Sequence, residues 1–319
     1  MKTFDEIYEE LQNADNTELN KLWADAKKEN DKAKKTAKII CLIIDVFFAI
    51  IFFKNIMNAG SLFFMLYMLI FILILNVIVY GIATGLAGAS KNQIQFKTKY
   101  KNIVINKLMN NFYDDLEYFP NKEMPEYIYD NLKYEYYNRY KSEDYFEAQI
   151  NNKYSIQMAE ILTQKEETYK DSEGRTKKRI ITKFHGLFAK IVMNKSINSE
   201  LEIMQNGALL LNKKLKMDSS EFEKYFDVKA TNQIIGMQIL TADVMEELID
   251  FENKTNMKFD IFIKGNELYL RFHSGEMFEV GDLKNGPVDK NSIQKYFYML
   301  NFTYNLSNKL INVVKDTEI

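Results

Sequence analysis

Ile39–Phe53 reads IICLIIDVFFAIIFF, Lys54–Ser61 reads KNIMNAGS, and Leu62–Ile82 reads LFFMLYMLIFILILNVIVYGI, before the tail ATGLAGA ends at Ala89. The second run carries no charge and has the length that a helix needs to cross a hydrocarbon layer about 30 Å thick. It predicts a transmembrane helix. The first run is shorter and holds Asp45, but a linker of eight residues leaves the two runs little choice except to pass through the same bilayer. Residues 39–89 are therefore expected to form a transmembrane helical hairpin, with spans at about 39–53 and 62–82.

The flanks set its orientation. Lys27, Lys28, Lys32, Lys34, Lys35 and Lys38 precede the first run, the linker holds Lys54, and Lys91, Lys97, Lys99, Lys101 and Lys107 follow the second. By the positive-inside rule both termini face the cytoplasm, as in a multi-pass protein of the cell membrane. The acidic leader FDEIYEELQNAD is the wrong n-region for a secretory signal, although LAGA at 86–89 resembles a cleavage site.

Two polar residues interrupt the apolar runs. Asp45 lies seven residues beyond Lys38 and Asn76 six before Ile82, which puts both near 10 Å into the layer at the helical rise. A carboxyl at that depth needs a hydrogen-bond partner, so an Asp45–Asn76 interhelical tie is expected; an ion path is the sharper alternative. Gly81, Gly85 and Ala89 recur at spacing four, a stripe that lets helices approach closely within the hairpin or between two copies.

Outside the hairpin, the 319 residues are 27% charged with net charge −2, and no basic excess points to nucleic acid. Cys41 is the single cysteine, so the rest of the chain can form neither an internal disulfide nor a Cys-ligated zinc site. Residues 1–38 read as a helical cytosolic segment in two pieces. Thr3 and Glu6 have capping-box spacing, and Asp15 with Glu18 opens a second helix carrying Leu19, Leu22, Trp23 and Ala26. That segment lies on anionic lipid with its basic end, or packs on the soluble domain.

Residues 90–142 read as a helical connector interrupted by Pro120 and Pro125. From 143 to 319 the pattern becomes a cytosolic α+β domain with a mainly antiparallel sheet and flanking helices. Strands are expected at Tyr154–Thr168 and Lys178–Met193 around Gly174, at Leu201–Ile203 and Ala208–Leu211, at Phe259–Ile263 and Glu267–Phe272 around Gly265, and at Phe278–Val280. Helices are expected at EFEKYF after Ser219 or Ser220, at Asp243–Lys254 and at Ile293–Val314.

Chemistry is sparse. His185 sits in a strand-like run beside Gly186 and His273 ends a strand before Ser274. The nucleophile elbow G-x-S-x-G is absent, and the two histidines lack metal-ligand spacing. Glu143 and Asp144 form an acidic pair before an apolar strand, readable as a general acid and base or as loop residues that accept backbone N–H groups. These four residues are the pocket candidates. No catalytic set, metal or cofactor is assigned, and Gly186 is expected to allow close backbone packing.

The segments SEDYFEAQI at 142–150, FHGLFAKI at 184–191, SSEFEKYFDVKATNQIIGMQILTADVMEELIDF at 219–251 and KFDIFIKGNELYLRF at 258–272 resemble the bacterial membrane proteins of the domain-of-unknown-function family DUF3137. The resemblance implies a helical leader, two membrane spans and this cytoplasmic domain, and implies no activity. The family pattern would place a Gly near Ala148 and an Asp near Thr231 or Asn232, where this chain departs. The expectation is thus a membrane-anchored binding or scaffold module whose partners are the lipid bilayer and a protein or second copy. A membrane-tethered hydrolase or transferase using Glu143, Asp144 and a histidine is the alternative, and a component of a transport complex is the third.

Overall fold

A computed structural model describes residues 1–14, 16–56, 62–207 and 214–316. They fall into two compact units, one of Met1–Tyr8, Asn102–Glu279 and Asn291–Ile319, the other of Glu9–Lys101 and Val280–Lys290.

In the second unit α2 runs unbroken from Thr17 to Ile56. It passes residue 38 without a break, because the lysine-rich stretch 27–38 contains no Gly or Pro. Asp15 and most of the linker lie outside the described residues. The helix α3, Leu62–Gly88, returns antiparallel to α2: Asn76 Nδ2 donates to Asp45 Oδ1 at 2.7 Å, and Phe48 meets Phe71 edge-on at 5.9 Å. One window, Leu66–Gly88, is long and apolar enough to cross a membrane among the described residues. The first half of α2 packs on α4, Lys91–Tyr100, through Glu18 to Lys99 at 2.5 Å and Asn92 to Glu29 at 2.8 Å. Trp23 Nε1 donates to Leu283 O at 2.9 Å.

The first unit is built on one eight-stranded antiparallel sheet in the order β1-β2-β3-β4-β8-β7-β5-β6. The strands are β1 (Asp114–Phe119), β2 (Arg139–Ile150), β3 (Tyr154–Lys170), β4 (Thr176–Val192), β5 (Glu200–Gln205), β6 (Phe226–Ala230), β7 (Phe259–Lys264) and β8 (Glu267–Phe272). The expected connector is therefore only half helical. After a π turn at Lys101–Ile105 and α5, Asn106–Met109, the chain enters edge strand β1 against β2, whose twelve residues start four before the expected domain boundary. Ala208–Leu211 lies outside the described residues. Phe278–Val280 is not a strand: Phe278 has φ +56°, which no extended chain adopts.

The other expected strands and helices form where the pattern placed them. Gly265 takes φ +59° in the two-residue turn between β7 and β8, as tight hairpins demand. In α1, Phe4–Asn13, Thr3 N donates to Glu6 Oε2 at 2.7 Å and Glu6 N to Thr3 Oγ1 at 3.4 Å, a reciprocal capping box. Ser219 Oγ accepts from Phe222 N at the start of α7, Phe222–Tyr225. In α9, Ala242–Thr255, Val244, Leu248 and Phe251 are buried on one stripe, and Asn256 ends the helix in the left-handed region. The long closing helix α10 runs from Lys290 to Asp316. One helix escaped the sequence reading: α8, Gln233–Ile239, capped by Asn232 Oδ1 accepting from Ile234 N and Ile235 N.

The sheet has two covered faces. On one, Phe184, Phe188, Phe262 and Tyr269 pack under the strap that carries α6, Glu126–Asp130, with Ile128 and Tyr129 buried there. On the other, Phe259 and Phe272 meet Phe251 of α9 and Phe302 of α10. Beyond Gln164 and Thr182 the strands β3 and β4 pair only with each other among the described residues. Cross-strand contacts from Lys178 to Glu166 and from Arg179 to Glu167 tie that ribbon.

Gly186 marks the tightest place in the sheet. A Cβ there would stand 1.9 Å from Phe272 O, and φ is +155°. Gly186→Ala is expected to cost about 3 kcal/mol or more, against about 1 kcal/mol for Gly174→Ala, whose φ of +77° faces open space. Paired chemical-denaturation curves measure the difference.

Candidate functional site

β2 bulges between Glu143 and Phe146, with Asp144 at φ +55°. Glu143 and Asp144 are thus strand residues, not loop residues; the alternation of Tyr145 and Phe146 carried the strand back through them. Glu143 lies opposite Glu160 of β3, and Glu160 Oε1 is 3.6 Å from His185 Nε2 on β4. Met277 N donates to Glu160 Oε2 at 2.7 Å, which draws the loop after β8 over these strands.

Glu143, Asp144 and Glu279 offer carboxylate oxygens that all lie within 4.8 Å of one another, a spacing that suits a hard, oxygen-liganded cation. None of the three is without a partner. Tyr118 OH donates to Asp144 in a short hydrogen bond, and Tyr296 OH donates to Glu279 O at 2.7 Å. Burial first, and then the Asp144 charge, push the Tyr118 phenol far above its usual range. Burial does the same to Tyr296, with Glu279 and Glu160 adding to it. The structure therefore gathers Glu143, Asp144 and His185 around an acidic centre that also contains Glu160 and Glu279, which the sequence pattern did not mark.

His273 goes to the opposite face. Its Nε2 is 2.9 Å from Asp260 Oδ2, and its ring stands edge-on to Phe184 at 5.3 Å. Asp260 is the cross-strand partner of Arg271, whose side chain is 1% exposed. Arg271 NH2 donates to Glu135 Oε2 at 3.0 Å, NH1 lies 3.8 Å from Asp260 Oδ2, and the guanidinium rests over Phe184 at 4.5 Å and Tyr134 at 4.6 Å. Tyr129 OH and Thr163 Oγ1 both donate to Glu135 Oε1 at 2.7 Å. This buried arginine between the buried Asp260 and the partly buried Glu135 pins the strap to the sheet. A lone Arg in a strand gave no hint of it, because Glu135 is 136 positions away.

Ser274 Oγ accepts from Leu187 N at 3.2 Å and donates to Gly275 O, so it serves the backbone. Ala148 is buried in β2. Thr231 Oγ1 accepts from Glu200 N at 2.8 Å, and Asn232 caps α8, so both side chains serve the backbone. Gly81 and Gly85 have nothing within 4 Å of where a Cβ would stand, so the stripe makes no close approach among the described residues, and Ala89 lies beyond the end of α3.

These elements define an α+β domain in which a mixed-length antiparallel sheet is enclosed by a strap on one face and two helices on the other. Residues 182–311, from β4 into α10, match the model of DUF3137, described as a protein of unknown function. The crystal structure of the mycobacterial trehalose monomycolate transport factor A, TtfA, is similar over 67% of this chain and 94% of its own, at 8% identity and a TM-score of 0.34. No curated protein matches the chain.

Arg271→Ala removes the guanidinium between the buried Asp260 and the partly buried Glu135 and is expected to cost about 3 kcal/mol. Arg271→Lys should recover only part of it, since one ammonium cannot span both acids. Urea unfolding of the two variants measures this.

Burial raises the phenols of Tyr140, to about 12, and of Tyr129 beyond that. A group whose folded value is raised contributes stability below its unfolded value, about 10 for tyrosine, and loses it as pH rises. The domain is therefore expected to unfold in alkali, with tyrosinate absorbance and loss of circular dichroism rising together above about pH 10.

Proposed function

We propose that the chain is a membrane-anchored binding module. The second half of α2 and all of α3 cross the bilayer as a hairpin with both termini in the cytoplasm, and the sheet domain binds a protein partner at the inner leaflet. The observation that carries the reading is the apolar surface of this helix pair. Leu42, Ile43, Val46, Phe47 and Ile50 of α2 are 53–65% exposed, and Leu66, Leu69, Leu73, Val77 and Ile82 of α3 are 56–65% exposed. Water-soluble surfaces do not carry apolar patches of that extent. Burying each such side chain in lipid gains about 1.5–3 kcal/mol.

The Asn76–Asp45 hydrogen bond supports the same reading, since it supplies the acid with a donor where lipid supplies none. The enzymatic alternative has less behind it: its two histidines lie on opposite faces of the sheet, each facing its own carboxylate. The transport alternative rests on Asp45 and Asn76 alone.

Full-length chain in isolated membranes is expected to resist alkaline carbonate extraction, and a cysteine introduced at Gly60 to react with an impermeant reagent from outside intact cells. A reporter fused at Ile319 should be active in the cytoplasm. Asn76→Leu should weaken the folded hairpin by about 1 kcal/mol, while Asp45→Asn retains it. Release by carbonate, or a protected linker cysteine, overturns the reading.

A further inference from the structure

α9 shows the sheet one stripe and leaves another outward. Asp243, Glu246, Glu247 and Asp250 occupy that second stripe at spacings of three and four, so they form one wall of a trough whose other wall is α10. The hollow between them measures about 820 Å³, and a second hollow of about 290 Å³ adjoins it past Phe251 and Tyr298, lined by Lys254 and Lys295 and by no carboxylate, so the acidic rim ends there. Its floor is aromatic: Phe251 and Phe302 stack at 3.7 Å, and Tyr298 stands half exposed beside them. The trough thus combines an apolar floor with four carboxylates and Lys254 along the α9 wall, while α10 contributes Asn301, Asn305 and Lys309.

The chain already shows how this rim holds a cation. Lys309 reaches across from α10, with Nζ 2.6 Å from Glu247 Oε2, 3.6 Å from Asp243 Oδ2 and 3.2 Å from Asp243 O. The hydrogen bond to Glu247 is the main cause that raises the Lys309 ammonium above its usual range. One turn on, Glu246 and Asp250 are both exposed. Asp250 meets Lys254 at 3.1 Å, but the two side chains are 57% and 74% exposed, a pair that contributes little and exchanges readily.

We propose that this trough binds a lysine- or arginine-bearing amphipathic helix of a partner protein, its apolar stripe on the exposed Tyr298 and on the outer edges of the otherwise buried Phe251 and Phe302, and its cations on Glu246 and Asp250. A helix is the occupant because both walls are helices that offer anchor points at one-turn intervals, into which the ridges of a third helix fit. The α9 wall, 14 residues long, accommodates roughly four turns. This inference rests on the binding-module reading and names the chemistry of the partner.

The probe is a phage-displayed library of helices about four turns long, randomised on one face and panned on the full-length chain in phosphatidylcholine nanodiscs. The expected selection carries Lys or Arg three and four residues apart beside Leu, Ile or Phe. The double substitution Glu246→Lys, Asp250→Lys should weaken the selected peptides at least about tenfold, and Tyr298→Ala should weaken them as well. If the reversed pair lowers the melting temperature, Glu246→Gln with Asp250→Asn should give the same loss of binding. Neutral or acidic selections, binding untouched by these substitutions, or no enrichment over empty nanodiscs overturns the proposal. Carbonate resistance of the same chain reads the anchor separately, so a chain that inserts but selects no basic helix sinks the trough alone.

Discussion

The pairing of β4 with β8 is the constraint on which the sheet domain depends. Two antiparallel groups, β1 to β4 and β5 to β8, meet only along Leu187–Val192 and Glu267–Phe272, and a backbone carbonyl of β8 lies where a side chain at residue 186 would begin. That close approach needs glycine. It also decides what the neighbouring residues can do, because β8 stops at Phe272 and the chain turns away through Ser274 and Gly275. Before Thr182, β4 pairs with β3 alone among the described residues. A two-stranded ribbon is marginal in water by itself, so that part relies on its cross-strand charges.

The same seam sorts the polar residues. Strand alternation sends His185 to the face covered by α10 and Arg271 with His273 to the face covered by the strap. Each face then solves its burial problem in a different way. On the α10 side the carboxylates are satisfied by phenols and backbone amides, as Glu160 is by Met277 N and Asp144 by Tyr118. On the strap side one buried cation answers two acids, and aromatic rings cover the faces of the guanidinium. A buried ion pair of this kind contributes less to net stability than its distances suggest, yet removing one member is costly. It therefore acts more as a lock on the position of the strap than as a source of stability.

Much of this was legible in the sequence wherever one residue type solves a local problem. Gly265 between alternating runs gave the β7–β8 hairpin, Thr3 with Glu6 gave the start of α1, and the stripe of Val244, Leu248 and Phe251 gave α9. Asp45 and Asn76 could be matched because a helical hairpin fixes depth from both ends. What could not be read depends on partners far along the chain. Glu135 and Arg271 meet only after the sheet has formed, and Glu160 joins Glu143 only through register. β1 was hidden because DDLEYF lacks β-branched residues and follows a helix, so only its pairing with β2 makes it a strand. α8 was missed because TNQIIGMQI mixes a central glycine with β-branched isoleucines, both poor helix formers, and the cap from Asn232 outweighs them. Phe278 looked like a strand residue because aromatic side chains favour strands, but the loop it closes bends the backbone to a positive φ.

The unbroken course of α2 has a mechanical consequence. At 40 residues it is a rod roughly 60 Å long, and it contains no proline or glycine at which to bend. Its apolar end faces α3 and its polar end is clasped by α4. A tilt or rotation imposed at one end is therefore delivered at the other with no joint to absorb it. If the apolar end sits in lipid, the thickness or tension of the bilayer becomes a force that the α4 end must feel.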